Sequence, residues 1–381
     1  MSLDIPLSLY VHFPWCVRKC PYCDFNSHAS GDGIDEDRYV AALLADIEAE
    51  TAAADHRAVI SVFIGGGTPS LLSGRGFRRL LQGVRERVNL VTDAEITLEA
   101  NPGALDESHF SAYRDAGANR LSIGVQSFDD SRLQAIGRIH DGAMALEAVR
   151  MARTAGFDNL NLDLMFGLPG QRGDEALADL AQAIELKPEH LSWYQLTIEP
   201  NTPFHHEPPA GLPDDDELGA MHFDGMALLA GAGYRQYEVS AFAQPGRECR
   251  HNLNYWQFGD YLGVGAGAHG KVTLEDGRVT RCRKQRQPEA FMRTAEAGDA
   301  CSSRECLQDD DLFLEFMMNA LRLNNGVPVR CISERTGLAW EAVRSRIAPA
   351  VTHGLMVKGE ERLQATPLGL RYLNNLLAMF A

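Results

Sequence analysis

The 381-residue chain reads as an α/β protein, a partial (β/α)6 barrel of the TIM type followed by a small winged-helix-like α+β domain. Three observations predict this. Six short apolar runs alternate with amphipathic stretches as far as Pro200, the pattern of a parallel sheet covered by helices. Each polar or glycine-rich motif in that part follows the end of an apolar run, where barrels collect their active sites. Past Asp309 the order becomes helix, short helix, helix, hairpin, helix.

The apolar runs are Leu7–Val11, Val59–Ile64, Ile96–Ala100, Arg120–Val125, Leu160–Met165 and Leu191–Leu196. Between them Arg38–Ala53, Phe77–Val88, Glu107–Ala116, Met144–Ala155 and Glu175–Ile184 carry helical periodicity. Glycine punctuates the return from helix to strand, as in Ala116-Gly117-Ala118 and Ala155-Gly156-Phe157. A doubly wound sheet would satisfy the same alternation, but motif placement favours the barrel. A cysteine loop follows the first run, Gly65-Gly-Gly-Thr-Pro-Ser70 the second, and Glu99-Ala-Asn-Pro102 the third. Gln126-Ser127 ends the fourth, Asp163 with Gly167-Leu-Pro-Gly-Gln171 the fifth, and Thr197-Ile-Glu-Pro-Asn201 the sixth.

Beyond these, Pro208-Pro-Ala-Gly-Leu-Pro213 is a loop, Glu217–Ala230 a helix, and Arg235–Ser240 and Tyr261–Gly265 are further strands. Leu312–Leu323, Ile332–Thr336 and Trp340–Val351 are helical. Leu355–Val357 and Leu363–Ala365, joined by Lys358-Gly-Glu-Glu361, form a hairpin before the last helix. The expected boundaries are 1–235 for the barrel, 236–305 for an extension and 306–381 for the C-terminal domain. That domain is charge-balanced, which suits a lid or packing module better than a DNA reader.

Composition is that of an ordinary soluble protein. No run of about 18 apolar residues occurs, so no transmembrane helix is expected. Met1-Ser-Leu-Asp-Ile-Pro6 leads straight into the first strand without the basic region of a signal peptide. A net charge of −16 argues against a nucleic-acid partner. Arg18-Lys19 and Arg281-Cys-Arg-Lys-Gln-Arg286 are basic exceptions, either solvated faces or docking points for an electron carrier. Of eight cysteines, Cys249, Cys282, Cys301, Cys306 and Cys331 form no C-x2-C pair and read as free thiols in a reducing cytosol, hence a cytoplasmic protein.

The remaining three lie in Tyr10-Val-His-Phe-Pro-Trp-Cys16-Val-Arg-Lys-Cys20-Pro-Tyr-Cys23. A C-x3-C-x2-C loop can wrap three thiolates around three corners of a [4Fe-4S] cube. Such cubes usually take four cysteines, so one iron would stay open for a small molecule. The alternatives are free thiols or a zinc knuckle, for which His28 is the only nearby fourth ligand. The glycines at 65–67 permit close backbone approach to a ligand, although a tight turn would also use them. Glu99, Gln126, Arg138 and Asp163 offer partners for ribose hydroxyls, an ammonium and a carboxylate, or serve as structural polar residues.

The cysteine spacing resembles the radical S-adenosylmethionine (SAM) superfamily, whose open iron holds SAM by its amino and carboxylate groups. That resemblance implies one-electron reduction of the cluster and carbon–sulfur cleavage to a deoxyadenosyl radical. Tyr10-Val-His-Phe-Pro-Trp-Cys16, Gly65-Gly-Gly-Thr-Pro-Ser70, Gly124-Val-Gln-Ser-Phe128, Asn161-Leu-Asp-Leu-Met-Phe-Gly-Leu-Pro-Gly170 and the C-terminal segment narrow it. Together they resemble the oxygen-independent coproporphyrinogen III oxidase family over nearly the whole chain. By this resemblance Cys16, Cys20 and Cys23 are the cluster ligands. Tyr10, Tyr22, Gly66, Gly67, Thr68, Glu99, Gln126, Arg138 and Asp163 line the SAM region.

One departure matters. The decarboxylating oxidases carry a further cysteine two residues after the last ligand, where this chain has Cys23-Asp24-Phe25. This points to the HemW-like branch of heme chaperones, which bind heme and pass it to acceptors such as respiratory hemoproteins, with flavodoxin or ferredoxin as electron donor. The alternative is radical oxidative decarboxylation of coproporphyrinogen III, so whether the protein is an enzyme stays open.

Arg250-His251-Asn252-Leu-Asn254-Tyr255-Trp256 resembles the HNxxYW motif of the chaperone branch. An imidazole can ligate heme iron, and Tyr255 and Trp256 can stack on a flat macrocycle. A buried, hydrogen-bonded histidine among core aromatics would carry the same letters; the resemblance favours His251 as heme-binding. His205 and His206 are rival heme ligands. Cys20-Pro21 resembles a heme-responsive dipeptide, but Cys20 is committed to the cluster. No C-x-x-C-H attachment site exists.

Overall fold

Each of the six apolar runs forms a strand because it offers two usable faces, one apolar toward the helices and one mostly polar toward the barrel axis. The computed structural model describes residues 5–31, 33–104, 107–359 and 361–381. Met1–Asp4, part of the stretch read for a signal peptide, and Glu360 of the expected hairpin turn lie outside these. Strands β1 (Leu7–Phe13), β2 (Val59–Gly66), β3 (Leu90–Ala100), β4 (Arg120–Gln126), β5 (Leu160–Phe166) and β6 (His190–Gln195) pair in parallel, in chain order.

Helices α1 (Glu36–Ala53), α2 (Gly74–Arg87), α3 (Glu107–Ala116), α4 (Gly142–Thr154) and α5 (Gly173–Glu185) connect them. Side chains of Asp35, Ser73 and Asp141 cap α1, α2 and α4 by accepting from free N–H groups of the first turn. Leu9, Val62, Leu98, Leu121 and Leu162 of the strands pack with Tyr39, Phe77 and Phe110 of the helices in one core. Helix α6 (Asp215–Gly231), started by a capping box of Asp214 and Glu217, joins this layer through Met221 and Leu229.

The barrel is not closed. Beyond β6 the sheet continues antiparallel through β8 (Ala241–Ala243) to β7 (Arg235–Glu238). The expected single strand at 235–240 ends at Glu238, whose carboxylate accepts from the Ser240 amide in a turn. On the other side β1 pairs in parallel with β9 (Asp260–Val264), the strand expected at Tyr261–Gly265. Then β10 (His269–Thr273), β11 (Val279–Lys284) and β12 (Cys301–Cys306) add antiparallel hairpins. Helix α7 (Arg250–Trp256), carrying the HNxxYW residues, packs against the N-terminal halves of β1 and β2: Asn254 donates to Ser8 and the His251 ring bonds Ser61.

One expectation is corrected. Cys282 and Cys301 are joined in a disulfide between β11 and β12. Cys282 faces Arg304 and Cys301 faces Lys284, past a bulge at Arg283/Lys284, so the bond runs diagonally between the strands, Cα to Cα 6.3 Å. Cys249, Cys306 and Cys331 are free.

Buried charges tie the extension to the barrel. Asp260 on β9 accepts from Lys271, Thr273 and Arg57, while Lys284 on β11 donates to Asp46 and Glu50 of α1.

In the C-terminal domain, α8 (Asp309–Ala320), a helix at Arg330–Thr336 and α9 (Trp340–Thr352) precede a hairpin bridged at Met356 and Ala365. Its second arm also pairs with Val327–Pro328. The last helix breaks at Tyr372 into Pro367–Arg371 and Leu373–Ala378. Phe313, Phe316, Ile332, Ile347 and Leu376 share a core with Tyr237 and Phe258, so this domain is packed onto the extension. Among the described residues no helix is long and apolar enough to cross a membrane.

Candidate functional site

The C-terminal ends of β1–β6 surround a cavity of about 580 Å³. Cys16, Cys20, Cys23, Tyr22, Gly66, Gly67, Thr68, Glu99, Gln126, Arg138 and Asp163 all line it. Tyr10 lies in a second cavity of about 320 Å³ that shares Glu99, Ser122, Asp163, Ser192 and Asn252 with the first. The structure thus brings together every residue the sequence put at the cluster and SAM region.

The cysteine loop is shaped by short local bonds. Trp15–Cys16 pairs with His28–Ala29, and the Cys23 amide donates to the Cys20 carbonyl at 3.2 Å. Arg138 reaches in from below, its Nη2 donating to Gly124 O at 2.7 Å and its Nη1 lying 3.8 Å from the Cys20 sulfur. Burial pushes the Cys16 and Cys23 thiols up from their ordinary values. A bound metal or cluster takes up such thiols as thiolates, releasing their protons. Cys16, Cys20 and Cys23 are the cysteines on this cavity, and His28 does not line it. Three thiols without a fourth Cys or His suit a cube with an open iron better than a zinc knuckle.

Glycine is needed where the next loop presses on this one. Gly66 has φ +118°, and a Cβ there would sit 2.6 Å from the His12 ring; one on Gly67 would sit 2.5 Å from the Trp15 carbonyl oxygen. The Gly66 amide donates to Glu99 Oε2 at 3.0 Å. Burial, aided by Asp163, raises the Glu99 carboxyl to about 8 against the pull of that amide. Asp163 accepts from Ser122 at 2.8 Å and from Asn161 at 2.9 Å. Gln126 takes a left-handed backbone, φ +69°, and its amide oxygen accepts from the Tyr194 hydroxyl at 2.8 Å. A strained non-glycine residue held this way marks a position where orientation matters.

His251 is only 2% exposed and lines the second cavity, at the barrel floor rather than at the surface. Its Nδ1 is 3.1 Å from Ser61 Oγ and its Nε2 has no hydrogen-bond partner. Tyr255 lies against the His251 ring, centroids 5.0 Å apart, while Trp256 stacks under the Arg322 guanidinium at 4.3 Å. Burial, with Arg120 nearby, holds His251 down at about 3, so it is neutral at physiological pH. His205 and His206 sit exposed on a short helix beside the cysteine loop, where Phe204 N donates to Pro21 O, and line neither cavity.

The sequence reading passed over Ser122, Asn161 and Tyr194, which hold the predicted residues, and Arg120, Asn252 and Arg322, which line the two cavities. The available signal was period two: residues 120, 122, 124 and 126, then 161 and 163, then 190, 192 and 194 share the inward face.

Comparisons with known proteins agree with this geometry. The Radical SAM superfamily model matches residues 10–183, and the HemN C-terminal domain model matches 307–372. The chain is 51% identical to the heme chaperone HemW of Escherichia coli, covering 98% of both, and 36% identical to that of Mycobacterium tuberculosis, covering 96% and 92%. The solved structure of Escherichia coli coproporphyrinogen III oxidase (HemN), a radical SAM enzyme, superposes with a TM-score of 0.82 at 26% identity, covering 100% of this chain and 91% of that one. The chain belongs to the HemW family of the radical SAM superfamily.

Proposed function

We propose that the protein binds heme and passes it to acceptor hemoproteins, with a [4Fe-4S] cluster held by Cys16, Cys20 and Cys23 and SAM on the remaining iron. Full-length similarity to heme chaperones carries this reading, supported by His251 lining a cavity that merges with the cysteine cavity. Membership of the superfamily implies the cluster and SAM. Bound there, they supply one-electron chemistry at a carbon–sulfur bond. The chain's own residues do the positioning. Gly66 and Gly67 let backbone approach the methionyl group, Glu99 and Asp163 receive cationic and hydroxyl groups, and Arg138 steadies the cysteine loop.

Heme enters the same chamber. The tautomer of His251 that donates from Nδ1 to Ser61 leaves Nε2 as a free lone pair, the form that ligates iron. Titration of anaerobically reconstituted protein with heme, followed at the Soret band, tests this. Wild type is expected to saturate at one heme, and His251→Ala to bind at least roughly tenfold more weakly, about 1.4 kcal/mol. Equal binding by both would remove His251 from the site. Protoporphyrinogen made from coproporphyrinogen, SAM and a reductant at ordinary turnover would favour the oxidase reading instead; Phe25, where the oxidases carry cysteine, speaks against it.

A flavodoxin or ferredoxin docking at Arg18 and Lys19 beside the loop would supply electrons. A labile cluster needs a reducing compartment, and the cytosol is the location this reading implies.

Glu99 gives a pH test. A carboxyl raised to about 8 in the folded state binds its proton more tightly there than when unfolded. Its contribution is present at low pH and is lost as pH rises from about 4.5 through about 8. Glu99→Gln without ligands should therefore melt about 2 °C above wild type at pH 8.5, with the gap closing by pH 5. SAM affinity should fall at least roughly tenfold in the same variant. A gap that is constant with pH would contradict the assignment.

A further inference from the structure

Three basic side chains are fully enclosed in the barrel and its extension, and they differ in how their charge is met. Lys271 donates to Asp260 at 2.8 Å, and Lys284 to Asp46 at 2.6 Å and Glu50 at 2.7 Å. Arg120, at the start of β4 and 2% exposed, has no ion pair among the described residues, and its Nε has no hydrogen-bond partner. Three carboxylates act on it through space, Glu95, Asp163 and Glu99, and favour its charged form, but none is within ion-pair distance among the described residues. Glu95 accepts from the backbone amides of Arg250 and His251, and Asp163 from Ser122 and Asn161. An enclosed guanidinium costs several kcal/mol unless an anion faces it.

Arg120 lines the cavity of about 320 Å³ at the barrel floor, as do His251, Tyr255 and Trp256. His190 on the same wall is already satisfied. His190 bonds Asn161 through Nδ1 at 2.6 Å and the Tyr237 hydroxyl through Nε2 at 2.9 Å. Three atoms on that wall are left unpaired: Arg120 Nε and Trp256 Nε1, both donors that suit an anion, and the imidazole nitrogen His251 Nε2. Their separate chemistries match one ligand with an acidic arm and a metal.

We propose that Arg120 receives a propionate carboxylate of the tetrapyrrole on the floor of the barrel, in the cavity where His251 stands. This rests on the heme-binding reading and specifies which end of the macrocycle is held. Arg120 is a specificity-determining residue: it makes the site prefer free-acid tetrapyrroles over esterified ones. The opening into the cysteine cavity along Glu99, Asp163 and Asn252 is the route by which such an arm reaches it. A methionyl carboxylate of SAM is the other source of the same chemistry, and the test separates the two.

The test titrates heme and heme dimethyl ester into reconstituted wild type, Arg120→Gln and Arg120→Lys, with SAM affinity measured in parallel. Wild type is expected to hold heme roughly 10–100-fold more tightly than the ester. Arg120→Gln should bring that ratio near one by weakening heme alone, and Arg120→Lys should keep part of it. SAM affinity should stay unchanged in both. Equal binding of heme and ester by wild type overturns the proposal without any variant, so poor folding of Arg120→Gln does not shield it. An intact ratio in a folded Arg120→Gln also overturns it. So does a tenfold loss of SAM affinity with the ratio intact, which assigns Arg120 to the methionyl carboxylate. Wild type that binds neither macrocycle rejects the chaperone reading itself, and this proposal with it.

Discussion

Cys20→Ser protein prepared without oxygen is expected to hold almost no iron or sulfide, where wild type holds about four irons per chain. The loss should be near complete because the loop has three thiols on the cavity and no spare. A serine hydroxyl stays protonated where a thiol yields its proton to iron. Cys20 also faces Arg138, which presents a cation to its sulfur and would meet only a neutral hydroxyl in the variant. SAM binding should vanish with the iron. The fold should persist, since Cys20 is only half-buried and stands outside the apolar core. Far-ultraviolet circular dichroism and metal analysis together decide the matter. Zinc in place of iron in wild type, or full iron content in the variant, would defeat the cluster assignment.

Asp260→Ala should be the most destabilising single change away from the site, by about 3–5 kcal/mol, or roughly 10 °C in Tm. The carboxylate is fully enclosed and meets Lys271 at 2.8 Å, Arg57 at 2.6 Å and the Thr273 amide at 2.9 Å. Removing it strands Lys271, 1% exposed, with no other ion pair among the described residues and Glu315 acting on it only through space. Burial alone would raise the Asp260 carboxyl, but Lys271 and Arg57 hold it below its ordinary value. Its stabilisation is therefore full at pH 7 and is lost only as pH falls below about 4. Thermal melts of Asp260→Ala should show the deficit at neutral pH. The double variant Asp260→Ala/Lys271→Met should recover part of it, because the orphaned ammonium is gone. A loss under about 1 kcal/mol would mean water reaches Lys271.

The six parallel strands were legible because each is a dense apolar run, buried on the helix side, between clear turn signals. β10–β12 were not. Their polar and charged residues suit the margin of a sheet and give no periodic contrast. The disulfide was equally hidden, since 19 residues separate Cys282 from Cys301 and only strand pairing makes them neighbours. At the site, the loops announced themselves through cysteine and glycine spacing, whereas the floor did not. Arg120 and His190 stand at the first position of their strands, where a polar residue reads as a boundary. Their inward direction emerges only once Asn161 is seen opposite Ser122 and His190 opposite Asn161. Tyr372, which divides the last helix, carries no breaker residue.

A barrel that stops short of closure leaves two frontiers where another chain could add itself and seed aggregation. One frontier, β7, is roofed: the Asn324 amide donates to the Tyr237 carbonyl and Leu323 bridges Glu238. The other, β12, is exposed and short, and it displays Arg304 and Glu305, residues that discourage a flat hydrophobic neighbour. The unclosed edges are thus kept from becoming a template for fibrils.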